Sequence, residues 1–153
     1  MDLGQLLKKE NIFIADSFEN TGGFYAAYAE FLRERGIIKN CAPVKDLFVE
    51  RENIQSTAIK KGAAAPHVFS EEFSGFIFSL ALIRAGLDFK APDEQDVYLI
   101  FLLMSSRRDA GLHLKSLAHI ARLVSCTDIV AAVRKAADAA EIHKIILEKE
   151  KLI

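Results

Sequence analysis

His67 has the strongest claim to chemistry in this chain, because of what precedes it. The lead-in Gly62-Ala63-Ala64-Ala65-Pro66 is small and stiff. Ala65 stands before proline and is biased to an extended backbone, which suits a strand that delivers His67 at its end. A neutral imidazole has one nitrogen that attacks and one that carries a proton. Tying the protonated nitrogen to a backbone carbonyl leaves the other free as a nucleophile. The competing reading is an ordinary surface or capping histidine after a proline turn, and the residues alone leave both open.

Three further residues bear on that chemistry. His113 is expected in the first turn of a helix capped by Asp109, where unpaired N–H groups favour a phosphate and depress a histidine's pKa. A neutral His113 could donate one hydrogen bond to a phosphoryl oxygen, or be a polar residue at the edge of an apolar stripe. Arg51 could neutralise phosphate charge with its planar fork of donors, or snorkel and pair with an acid such as Glu52. Thr57 could orient a proton or cap a turn.

Other chemistries find little support. None of the four histidines makes an HxH or HxxxH pair, and no cysteine or acid stands at close ligand spacing. His113 and His119 fall about 120° apart on an ideal helix, so no zinc site and no cofactor is expected. GxSxG and GxxxxGK[ST] signatures are absent. His119 reads as a packed or exposed helix residue. His143, among Glu141, Lys144, Glu148 and Lys149, reads as part of a solvated face.

The elements that must position these residues follow from periodicity. Ile12 to Ala15 suits a first strand. Phe24, Ala27, Tyr28, Phe31 and Leu32 mark a helix that stops at Gly36. Pro43 suits the first turn of a second helix with Val44, Leu47, Phe48 and Ile54 on its stripe. Arg51 falls in that same stripe and needs a partner or an opening to solvent. Phe76 to Ile83 is mostly apolar and Val97 to Met104 wholly so, as expected of strands covered on both faces. Three helical stripes follow: Leu114, Leu117, Ala118, Ala121 and Val124; then Ile129, Val130 and Val133; then Ile142, Ile145 and Ile146. Helices, central strands and helices predict an α/β layered sandwich, a central mixed β-sheet flanked by helices on both sides.

The stretch from Arg51 and Glu52 through Thr57 to Gly62-Ala63-Ala64-Ala65-Pro66-His67 resembles the active-site signature of the type-2 IIA domains of the bacterial phosphotransferase system, the fructose, mannitol and nitrogen-regulatory group. There R-E, a spacer and T lead through a glycine-containing turn to G-x-A-x-P-H. The helix beginning His113-Leu114-Lys115-Ser116-Leu117-Ala118-His119 is similar to the family's H-L-x-x-L-A segment. Gly86-Leu87-Asp88-Phe89 and the Val97 to Met104 strand match two more blocks. The resemblance covers nearly the whole chain, with departures at Ala58, Lys60, Lys61, Ala63 and Ala65.

The resemblance implies a phosphoryl carrier. His67 would accept phosphate on Nε2 from HPr or its nitrogen-branch relative and donate it to a IIB domain in sugar uptake. Alternatively, its phosphorylation state would control binding to regulatory protein targets, or the chain would be a degenerate binding module. His113 and Arg51 would lie in the active site, with Thr57 nearby.

Composition agrees with such a role. The 153 residues suit one domain, 1–153, and the formal net charge of -1 argues against a basic nucleic-acid surface. Cys41 and Cys126 read as reduced thiols, and the beginning of the chain lacks the apolar run of a signal peptide. The longest apolar run is far short of the ~20 residues that span a bilayer. A cytoplasmic protein without direct membrane insertion is expected.

Overall fold

A computed structural model of the protein describes residues 2–71 and 73–153. In chain order the elements are α1 (Leu3–Leu6), β1 (Ile12–Ala15), α2 (Thr21–Glu34), α3 (Cys41–Ile54), β2 (Ala63–Ala64), β3 (His67–Phe69), β4 (Phe76–Leu87), β5 (Val97–Ser105), α4 (Ala110–Cys126), α5 (Ile129–Arg134) and α6 (Ala139–Glu150). Local chemistry sets several boundaries. Asn20 accepts from the Gly23 N–H at 2.9 Å to start α2. Gly36 ends it in the left-handed region, at φ 71°.

The sheet runs β1-β4-β5-β2, with β3 also paired to β5. β4 and β5 are antiparallel and the other pairings parallel. β2 and β3 are thus two short pieces lying along one side of β5, separated by Ala65 and Pro66. Proline has no N–H for the ladder, and the interruption falls where the sheet edge must hand His67 to the surface.

Side-chain alternation divides the core into two layers. Leu99, Phe101 and Leu103 of β5 face α4, α5 and α6, while Ile100, Leu102 and Met104 face α2 and α3. His67 pairs with Leu103 and Phe69 with Ser105. Paired residues of neighbouring strands share a face, so His67, Phe69 and Ser105 all lie on the α4 side. The expected sandwich with helices on both sides of a mixed sheet is what the chain forms.

Two helix faces differ from expectation. In α4 the buried positions are His113, Ser116, Ile120, Leu123 and Val124. Leu114 is 64% exposed and Ala118 and Ala121 are exposed too. The helix is turned so that His113 and Ser116 point inward, at the expense of an apolar leucine. In α3, Phe48 is buried but Ile54 is 81% exposed, so the apolar stripe ends at half-buried Arg51.

A bend in β4 brings a testable constraint. The β4–β5 register shifts between Leu82 and Leu87. Gly86 adopts φ 78°, and a Cβ there would lie 2.9 Å from Cε1 of Tyr98. Backbone strain and the clash act together, so Gly86→Ala is expected to cost about 2–3 kcal/mol. Urea unfolding measures it, and a variant within about 0.5 kcal/mol of the parent contradicts this account.

Candidate functional site

The structure brings His67 and His113 together at the edge of the sheet. Their ring centroids are 5.6 Å apart, with planes at 76°. His67 starts β3, half-exposed, and its Nδ1 lies 2.8 Å from the Ala65 carbonyl oxygen. A carbonyl only accepts, so Nδ1 donates and carries the proton. Nε2 is then left with its lone pair, a neutral nucleophile fixed in orientation by the bond that Nδ1 makes.

His113 is fully buried in the first turn of α4. Its Nδ1 lies 2.8 Å from Ser105 Oγ, while Nε2 is buried without a hydrogen-bond partner among the described residues. The Phe69 ring stacks on it at 4.3 Å, and the Arg107 guanidinium lies 5.2 Å from the centroid of the Phe69 ring. Burial, and secondarily the charge His67 can carry, push the His113 pKa down to about 4. The ring is therefore neutral at pH 7. Asp109 precedes α4 but makes no side-chain cap. It accepts instead from Ser106 Oγ at 3.1 Å.

The lowered pKa has a consequence for stability. A histidine whose folded pKa lies below its unfolded value of 6.5 contributes fully above pH 6.5. The contribution is lost as pH falls towards about 4, where the folded form protonates too. The loss is at most about 3 kcal/mol, less to the extent that solvent reaches the pocket. Urea titrations across this range should show it, and His113→Phe should flatten the curve. An unchanged slope in that variant contradicts the assignment.

Thr57 does not reach His67 through its side chain. Its hydroxyl and N–H donate to Glu52 at 2.7 and 2.6 Å, and the Tyr25 hydroxyl donates to the same carboxylate at 2.5 Å. Burial and the Glu52 charge push the Tyr25 phenol far up, so it remains a donor. The Thr57 carbonyl in turn accepts from Ala65 N at 2.9 Å, and the Ala65 carbonyl holds His67. A chain of bonds thus links α3 to the imidazole. Arg51, half-buried near the end of α3, donates to the Gln55 carbonyl at 2.8 Å rather than pairing with Glu52. It has no hydrogen bond to either ring among the described residues.

Tyr25, Phe69 and Ser105 are residues that sequence reasoning did not single out as part of the site, and Glu52 entered it only through the motif and as a possible partner of Arg51. Phe69 was accessible, since a residue two beyond His67 on a strand shares its face. The other two histidines are engaged elsewhere. His119 Nε2 lies 2.9 Å from Glu150, and His143 Nε2 lies 2.8 Å from the Gly4 carbonyl. His143 is thus half-buried and bonded rather than on a solvated face.

The chain thus presents one tethered histidine beside a second, buried one on a mixed α/β sandwich. The family described as "Phosphoenolpyruvate-dependent sugar phosphotransferase system, EIIA 2" matches residues 5–149, and the chain belongs to it. A nitrogen regulatory protein of Bradyrhizobium diazoefficiens is 32% identical over 108 residues, 71% of each chain. The fructose-specific EIIABC component of Bacillus subtilis is 22% identical over 99% of this chain, which spans 24% of that protein. The crystal structure of nitrogen regulatory protein IIA-Ntr from Neisseria meningitidis superposes with TM-score 0.84 at 25% identity, covering 94% of this chain and 98% of that one. No helix among the described residues is long and apolar enough to cross a membrane.

Proposed function

We propose that this chain, acting as one unit in the cytoplasm, is a phosphohistidine carrier whose phosphorylated atom is Nε2 of His67. The observation that carries this reading is the 2.8 Å bond from Nδ1 to the Ala65 carbonyl, which leaves Nε2 as the nucleophile. An HPr-type phosphohistidine is the donor. Its N–P bond breaks as the bond from Nε2 forms, and the donor imidazole keeps the electron pair. Such transfers depend on alignment and charge stabilisation more than on covalent help. His113 contributes a neutral N–H and Arg51 positive charge, while Thr57 holds Ala65 and with it the tether on His67.

Two outputs share this site. Control of protein targets is supported by the higher identity to nitrogen regulatory proteins, and transfer to a IIB domain by the match to the fructose component. Incubation with phosphoenolpyruvate, enzyme I and a panel of HPr-type carriers, followed by phosphosite mapping, tests the common step. Acid-labile phosphate on His67 is expected, with the nitrogen-branch carrier the better donor. A folded protein that takes no label from any carrier leaves a degenerate binding module in its place.

A further inference from the structure

The role proposed for His113 depends on where its single proton sits. A buried neutral imidazole has one proton and two nitrogens to put it on. Only a proton on Nε2 would serve a phosphoryl group, because a bare Nε2 lone pair would repel the phosphoryl oxygens. We propose that Ser105 is the positioning residue that decides this: its hydroxyl donates to Nδ1 of His113, confining the ring's single proton to Nε2 and presenting that N–H to the phosphoryl group on His67. The inference rests on the carrier function proposed above.

The geometry limits the alternatives. Ser105 and His113 are both fully buried, and Ser105 Oγ lies 2.8 Å from Nδ1. If Nδ1 carried the proton, it would donate to Ser105. The serine hydrogen would then be left without that acceptor, and Nε2 would be a bare acceptor in a dry site. In the opposite arrangement Ser105 donates, Nδ1 accepts, and the Nε2–H is the one donor left waiting. Burial keeps the ring neutral near pH 7, so no second proton masks the choice.

The supports of this pair are rigid. Ser105 is the last residue of β5, its Cα paired with both Phe69 and Phe76, and its carbonyl accepts from Ser70 N at 3.0 Å. Phe69 covers one face of the His113 ring, with planes 23° apart. The ring is thus restrained by a strand on one side and by its own helix on the other. The His67 ring lies beside it, with centroids 5.6 Å apart.

Histidine 15N–1H spectra of the unphosphorylated protein at pH 7 test the bond without any donor present. The parent should show His113 as the Nε2–H tautomer, Ser105→Thr should keep it, and Ser105→Ala should populate Nδ1–H. In single-turnover labelling from phosphorylated HPr-type carrier, Ser105→Ala should be about tenfold slower at unchanged carrier affinity, with Ser105→Thr near the parent. Adding Ser105→Ala to His113→Ala should cost nothing further. An Nδ1–H tautomer in the parent overturns the proposal, as does a Ser105→Ala protein in which either the tautomer or the rate is unchanged. If Ser105→Ala does not fold, the parent tautomer and the Ser105→Thr rate decide. A parent protein that no carrier labels overturns the carrier reading instead, while the spectra still accept or reject the Ser105 bond.

Discussion

Replacing His67 with alanine should remove all acid-labile phosphate from the protein while leaving it folded. The side chain sits at the start of a three-residue edge strand and is half-exposed, so its loss opens no sealed cavity. No other histidine is placed to take over. His113 is fully buried, and His119 and His143 each have Nε2 engaged, with Glu150 and with the Gly4 carbonyl. The effect is therefore all-or-none, unlike that of His113→Ala or Arg51→Ala, which should slow labelling by about a hundredfold by removing charge stabilisation. Intact-mass measurement after prolonged incubation reads it. Full labelling of His67→Ala would sink the carrier assignment.

Glu52→Ala should be the change outside the histidines that most lowers stability, and it should slow transfer as well. One carboxylate takes the Tyr25 hydroxyl, the Thr57 hydroxyl and the Thr57 N–H. Tyr25 is 1% and Thr57 7% exposed, so both are left with donors that water reaches poorly. The cost is about 3 kcal/mol. Glutamine keeps one acceptor but turns an NH2 group towards a donor, and should recover only part. Loosening Thr57 releases Ala65 and hence the tether on His67, so labelling should be slow yet eventually complete. Urea unfolding paired with a labelling time course separates the two effects. Stability within about 0.5 kcal/mol of the parent contradicts the network.

The parts of this fold that were legible in the sequence were those governed by apolar burial alone. Ile12–Ala15 and the run from Val97 to Met104 form strands because their residues suit buried pleated surface. The α4 face departs from its hydropathy pattern for the opposite reason. A hydropathy pattern favours Leu114 over His113 and Ser116, whereas the structure buries the polar pair and exposes the leucine. His67, His113, Arg51 and Thr57 could be singled out by residue type and motif. Their connections could not, because Glu52 to Tyr25 and Ser105 to His113 are contacts between elements whose register no local pattern reveals.

The interruption between β2 and β3 also bears on how this molecule meets others. A sheet edge normally offers a row of free N–H and C=O groups on which a foreign strand can add. Here Pro66 contributes no donor, and residues 57–59 bridge back onto β2 through Ala65 N to Thr57 O and Ile59 N to Ala63 O. What stays open is three residues of β3, too short to template a ladder. The device that aims an imidazole therefore also guards against amyloid-like stacking and strand exchange, and partners at this edge must be recognised through side chains rather than through shared backbone pairing.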